Sequence, residues 1–374
     1  MPRAHVRRGD RLVIKVGTSS LVAPDGSPDV DRLARLCDGI KEARDRGIDV
    51  VLVSSGAIAA GLRPLGLTSR PADIPSLQAA AAVGQARLFD IYSRLLRERE
   101  IVSAQLLLTG YDFMQRQHYL NARHTLDRLL LLGALPIVNE NDTVAVDEIR
   151  FGDNDRLAAL VANLAHARCL LLLTDAAGVH AADPRTVPDA PLLDEVEKIT
   201  PELERSAGGR GSDLSSGGMA SKLAAAWVAT FSGVGVVVAS ADQRDVIASV
   251  IEGRSVGTYF HPRPTKASAR RLWIAFGQPP RGTIVVDTGA RHALTRDKRS
   301  LLAVGVREVR GHFDAGATVD VADERGEVFA RGLVRYGSSD LGDAARGSAA
   351  EMRGREAIHR DQLIVLESES DEVG

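Results

Sequence analysis

Short apolar runs alternate with helical periodicities over the first 260 residues of the chain. RLVIKVG (11–17), DVVLVSS (49–55), VSAQLLLT (102–109), LPIVN (135–139), RCLLLLT (168–174) and VGVVVAS (234–240) read as strands. Between them, residues 30–47, 76–100, 121–133, 154–166 and 217–233 repeat apolar positions at helical spacing, and several of these stretches end on a glycine stop signal. Strands that are apolar on both faces and alternate with helices predict a mostly parallel central sheet covered on both sides. This α/β domain is expected to span 1–262. In such sheets ligands bind beyond the carboxyl ends of the strands, so the residues after each strand come first.

The pattern changes near residue 260. HPRPTKASARRLWIAFGQPPRG (261–282) is rich in proline and basic residues, and 263–280 reads as a linker. Strand-like segments separated by glycine turns follow, which predicts a small, mostly β domain over 281–366. The last residues, 367–374, form an acidic tail with the composition of a disordered segment.

Composition adds limits. The chain has 374 residues, 44% hydrophobic and 26% charged, with a formal net charge of −2, so no polyanion partner is indicated at whole-chain level. Cys37 and Cys169 sit in apolar contexts and read as buried thiols of a reducing compartment rather than a disulfide. No apolar run reaches the roughly 18 residues of a membrane span, and the N-terminus lacks an apolar signal core. The expectation is a cytoplasmic protein.

Lys15 stands inside an apolar strand, just before Gly17-Thr18-Ser19. Taken alone it reads as an edge-strand lysine with a solvated ammonium. The functional alternative is a cation aimed at a phosphate, with the glycine letting a ligand approach. Ser54-Ser55-Gly56 opens a helix, as an N-cap or as an anion site. Thr174-Asp175 precedes a turn region suited to flank a nucleotide or to be plain surface. The segment GRGSDLSSGGMASK (209–222) is not a P-loop, because Lys222 lies within a helix rather than at the end of a G-x4-G-K-[ST] loop after a strand. No Cys/His spacing suggests a metal site. Residues 139–163 carry six carboxylates, Glu140, Asp142, Asp147, Glu148, Asp153 and Asp155, against two arginines. Metal binding, proton transfer and the holding of another charged group are the available roles.

Together LVIKVGTS, VLVSSGAIAAG, PIVNENDTVA, FGDNDRLAALVA, LLLLTDAAGV with ADPR, and SGGMASK resemble the glutamate 5-kinases of the amino acid kinase family, over residues 11 to 366. The NEND and GDND pair is the most discriminating part. The segment after 281 resembles a PUA domain. The resemblance implies ATP-dependent phosphorylation of the γ-carboxylate of L-glutamate, the first step of proline biosynthesis. It also implies Mg2+, a homo-oligomer (dimer or tetramer) and feedback inhibition by proline, and leaves association with glutamate-5-phosphate reductase open.

Position by position, the resemblance makes Lys15 and Lys222 the lysines at the phosphates and Asp155 the aspartate that organises them. It makes Ser55, Asp142 and Asn154 glutamate-binding, with Asp153 beside them. Thr174 and Asp175, with Ser216, Gly217, Gly218, Met219, Ala220, Ser221 and Lys222, match the ATP-binding segments. Asp147 and Glu148 are left as a solvated loop. Two departures bear on nucleotide affinity: Ser215-Ser216 where Gly-Thr is usual, and Val179-His180 where Leu-Tyr is usual.

PUA domains elsewhere bind RNA, yet residues 281–366 hold 14 Lys and Arg against 13 Asp and Glu. An RNA footprint is usually basic, so a structural or regulatory appendage is the expectation, with RNA binding as the rival. A family member acting on another carboxylate is the second rival, and a kinase-like regulator without activity the third.

Overall fold

The computed structural model describes residues 3, 5–23, 27–144, 154–200, 203–204, 218–263, 280–348, 350–352 and 354–366. The chain separates into two compact units, residues 1–269 and 270–374.

The first unit runs β1 (Arg11–Val16), α1 (Val30–Asp45), β2 (Asp49–Val53), α2 (Ala57–Leu62), α3 (Ile74–Arg97), β3 (Ser103–Leu108), α4 (Gly110–Met114), α5 (Arg116–Leu131), β4 (Leu135–Glu140), α6 (Asn154–Leu164), β5 (Cys169–Thr174), β6 (Glu195–Val196), α7 (Met219–Phe231), β7 (Gly235–Ser240), α8 (Val246–Ile251) and β8 (Thr258–Phe260). Its sheet has the order β3-β4-β2-β1-β5-β7-β8-β6. All neighbours are parallel except β7 and β8. Strand β1 lies centrally, with Lys15 beside Val53 of β2 on one side and Leu172 of β5 on the other. The chain leaves β1 towards β2 and returns to its other side with β5, so the strand order reverses at the end of β1, where α/β folds leave a ligand crevice.

The apolar stripes read from the sequence form the core. Ile14, Leu33, Ile40, Leu52, Leu96, Leu135 and Leu171 are fully buried together. Asp29 caps α1 by accepting from the Arg32 N–H, and Asp73 caps α3 by accepting from that of Ser76. Helix α5 begins at Arg116, earlier than the apolar periodicity suggests, because its first turn (RQHY) is solvated and carries no apolar stripe. The short strands β6, at the sheet edge, and β8, beside it, had no counterpart in the sequence pattern.

Helices α2 and α3 touch backbone to backbone. A Cβ on Gly61 would lie 1.9 Å from the carbonyl oxygen of Ala80, and one on Gly84 would lie 1.8 Å from that of Ala57. Only glycines at both positions permit this approach, which draws α3 onto the segment following β2.

The second unit comprises β9 (Gly282–Val286), α9 (Thr288–Thr295), β10 (Leu301–Leu302), β11 (Val306–Gly311), β12 (Thr318–Ala322), β13 (Val328–Leu333), α10 (Ser338–Ala345), β14 (Glu356–Ile358) and β15 (Leu363–Val365). Its main sheet has the order β11-β9-β12-β13-β15, and β10 pairs with β14. Ile284, Val319, Val321 and Phe329 centre its core, and the buried Asp320 accepts from Arg331 Nε at 2.8 Å. The expected linker lies outside the described residues except at its two ends, as does the whole acidic tail. Among the described residues no helix is long and apolar enough to cross a membrane.

Two expected outcomes follow from this packing. Gly84→Ala should destabilise the first unit by about 2 kcal/mol or more, read as a lowered urea midpoint, because overpacking a tight contact costs roughly 1–3 kcal/mol. Burial pushes the thiols of Cys37 and Cys169, both free, up to about 12. At pH 8 both therefore remain protonated, and Ellman's reagent should modify neither in the native protein but both in guanidinium chloride.

Candidate active site

Three residues distant in sequence meet at the carboxyl end of β1. Lys15 is the fifth residue of that strand. Asp155 lies in the first turn of α6 and Lys222 in the first turn of α7. Lys15 Nζ is 2.5 Å from Asp155 Oδ1, and Lys222 Nζ is 3.3 Å from Asp155 Oδ2. All three are removed from solvent, with exposures of 3%, 0% and 6%.

The electrostatics of this cluster are asymmetric. Burying an isolated charge is costly, and a lone buried lysine tends to lose its proton. A carboxylate shared between two ammonium groups favours the charged form of both. The α6 N-terminus in turn favours the carboxylate, because the positive end of the helix dipole lies there. Lys222 stands at the corresponding end of α7, where the helix dipole opposes a cation and the Asp155 carboxylate offsets that opposition. The trio carries a formal net charge of +1 and is disposed to receive an anion. Gly17 keeps the approach open, since a Cβ there would sit 3.7 Å from Lys15 Nζ.

A second, uncharged cluster adjoins the end of β2. Ser55 is buried. Asn154 Nδ2 donates to the carbonyl oxygen of Ser54 and to Asn139 Oδ1, each at 2.6 Å. Asn139 Nδ2 donates to Gln85 Oε1 at 2.6 Å. Ser54 Oγ pairs with the hydroxyl of Tyr92 at 3.1 Å, and burial raises the Tyr92 pKa so that the hydroxyl stays protonated. The sequence reading selected Ser55 and Asn154 but passed over Asn139, Gln85 and Tyr92. Asn139 did leave a signal: it is an amide at the end of a strand that is otherwise apolar until Glu140.

The remaining candidates are placed as follows. Asp142 is half-buried in the turn after β4. Thr174 ends β5, and its hydroxyl donates to Asp175 Oδ1 at 2.9 Å, while Asp175 itself is exposed. Gly218 is exposed at the N-cap of α7, Met219 and Ala220 are half-buried, and Ser221 is buried beside Lys222. Asp153, Ser215, Ser216 and Gly217 lie outside the described residues, as do Asp147 and Glu148. Of the other departure, Val179 is buried and its N–H donates to Thr258 Oγ1, while His180 Nδ1 pairs with the Ala190 carbonyl at 2.7 Å. Both serve the packing of their own loop.

Among the described residues no group of three or more His, Cys, Asp or Glu side chains could hold a metal ion. The carboxylate of Asp155 is already taken by two ammonium groups. The described donors therefore do not form a resident Mg2+ site. Mg2+ commonly binds through substrate phosphates with few protein ligands, and such an ion would enter as part of the nucleotide substrate.

The model of the amino acid kinase family matches residues 10–240, and that of the PUA domain matches residues 282–355. The chain is 44% identical over 373 residues to the glutamate 5-kinase of Citrifermentans bemidjiense, covering 98% of this chain and 100% of the relative. It is 46% identical over 371 residues to that of Moorella thermoacetica (97% and 98%), and 45% identical over 380 residues to that of Thermobifida fusca (98% and 96%). Among solved structures, the UMP kinase from Bacillus anthracis aligns with a TM-score of 0.48 at 17% identity, over 68% of this chain and 97% of that one. The chain belongs to the amino acid kinase family, in its glutamate 5-kinase branch, and carries a C-terminal PUA domain.

Proposed function

We propose that the chain transfers the γ-phosphoryl group of MgATP to the γ-carboxylate of L-glutamate, forming L-glutamate 5-phosphate in proline biosynthesis. The observation that carries this reading is the buried Lys15–Asp155–Lys222 trio at the end of β1. The full-length likeness to glutamate 5-kinases supports the choice of substrate.

A glutamate side-chain carboxyl has a pKa of about 4.3, so the nucleophile is already ionised at neutral pH. No general base is needed, which leaves the acidic residues free for other work. A γ-carboxylate oxygen attacks the γ-phosphorus, a new O–P bond forms, and the bond to the β,γ-bridging oxygen breaks as ADP leaves. The difficulty is to hold one anion against another while charge spreads over the transferring group. Catalysis of this kind is mostly positioning and charge stabilisation. Lys15 and Lys222 would supply fixed positive charge in a water-poor setting, and Asp155 would keep both protonated and aimed. Ser55, Asp142 and Asn154, with Asp153 beside them, would bind the amino acid. Thr174, Asp175 and the segment from Ser216 to Lys222 would border the nucleotide. The same reading includes proline as an inhibitor and a homo-oligomeric, cytoplasmic enzyme.

Trapping the acyl phosphate with hydroxylamine tests the reaction. Wild-type protein should form γ-glutamyl hydroxamate only when ATP and L-glutamate are both present, and added proline should suppress it. Lys15→Met and Lys222→Met should each lower kcat about 100-fold or more, the usual scale for one lost charge-stabilising donor. Near-wild-type turnover in either variant would show that its lysine has been given the wrong role. Asp155→Asn removes the carboxylate that two buried ammonium groups share. It should lose activity and be destabilised by about 3 kcal/mol or more, read from denaturant unfolding.

A further inference from the structure

The amide chain Gln85–Asn139–Asn154 has a direction that backbone groups impose. The N–H of Glu140 donates to Asn139 at 2.8 Å, so the acceptor there must be the side-chain oxygen. The carbonyl oxygen of Ser54 only accepts, so Asn154 must turn its NH2 towards it. These two contacts settle both amide orientations without appeal to electron density or to choice.

Hydrogen-bond accounting then gives the polarity of the exposed end. Asn154 has two N–H donors, and the Ser54 carbonyl and Asn139 Oδ1 take both. Its side-chain oxygen remains, and among the described residues nothing donates to it. Asn139 Oδ1 accepts from Glu140 and Asn154, and its NH2 is held by Gln85 Oε1. The half-buried Asn154 thus offers a ligand an acceptor and no donor. An α-ammonium group meets that requirement and a carboxylate does not.

Helix α3 supports the arrangement at two points seven residues apart on one face, Gln85 and Tyr92. Tyr92 fixes the hydroxyl of Ser54, whose N–H is also bound to the Val138 carbonyl at 2.9 Å. The glycine contact at Gly84 draws α3 close enough for its neighbour Gln85 to reach Asn139.

We infer that Gln85 is a positioning residue for amino-acid selectivity: through Asn139 it locks Asn154 with its carbonyl oxygen presented to the substrate's α-ammonium group. The inference rests on the proposed reaction with glutamate. Asn139 is only 2% exposed, so removing its Gln85 acceptor leaves a buried donor unpaired. That costs roughly 1–3 kcal/mol and works against the Glu140 N–H contact that otherwise holds the Asn139 amide towards Asn154, loosening the pair. A locked acceptor discriminates against a substrate analogue that lacks the matching donor, because the acceptor is then left unpaired.

Glutarate, which is glutamate without the α-amino group, is the probe. Its inhibition constant against glutamate, divided by the KM for glutamate, measures selectivity and does not depend on the fraction of active protein. In Gln85→Met this ratio should fall at least about 5-fold from wild type, with the KM for ATP unchanged within about 2-fold. In Gln85→Glu, whose carboxylate still accepts from Asn139, the ratio should fall no more than about 2-fold below wild type. The added charge disfavours dianionic glutarate more than glutamate, whose α-ammonium it attracts, so it acts to raise the ratio and cannot mimic the fall expected of Gln85→Met. A Gln85→Met ratio within about 2-fold of wild type overturns the inference, as does a Gln85→Glu ratio that falls as far as that of Gln85→Met. Absence of hydroxamate formation by the wild-type chain would instead overturn the reaction itself.

Discussion

The site hangs on a single carboxylate, the one that Asp155 places between Lys15 and Lys222. Three charges taken from water together are stable only if each is paired, and here one anion serves two cations. Remove that anion and the two buried ammonium groups would repel, and their joint placement would be lost. The positive charge needed to bring two anions together would go with it. Strand β1 with its neighbours β2 and β5, and helices α6 and α7, can be understood by how they let this trio form.

Strand β1 puts Lys15 in the middle of the sheet, where β2 and β5 flank it and solvent is shut out. Helix α6 delivers Asp155 on its first turn, where the helix dipole favours an anion. Helix α7 delivers Lys222 on its first turn, against its own dipole. The second placement is unfavourable by itself, and only the first makes it tolerable. Local structure and site electrostatics are therefore coupled, with the N-terminus of one helix stabilising the charge that the N-terminus of another must carry.

Much of this was legible in the chain. Apolar runs such as CLLLLT marked strands buried on both faces, and the α/β class followed from their alternation with helices. Lys15 was visible as a charge inside an apolar strand, and Asp155 as one carboxylate among six in a short stretch. Selecting Asp155 from those six needed the family resemblance, because spacing alone does not say which carboxylate faces inward. Gln85 could not be found at all. It sits in an alanine-rich helix, 54 positions from its partner Asn139, and nothing local distinguishes it from a solvated glutamine. Its place depends on the Gly61–Gly84 approach of two helices, a tertiary contact that leaves only two glycines in the sequence. The short strands β6 and β8 escaped for a simpler reason: at two and three residues they are too short to show a period.

In the proposed reaction the two clusters would divide the work by charge. Phosphoryl transfer between anions needs net positive charge, and the trio supplies a formal +1. Recognition of the amino-acid end must not disturb that balance. A cation placed to bind the α-carboxylate would compete for Asp155. A fully buried carboxylate beside the trio would draw on the lysines and repel the γ-carboxylate that has to approach, a cost that the half-buried Asp142 would bear less. Amides avoid both costs, since they carry donors and acceptors but no net charge. An amide chain also needs its direction set, or its end would offer donor and acceptor indifferently. Backbone groups of Ser54 and Glu140 set that direction here. This explains why neutral side chains stand beside the most highly charged point of the fold.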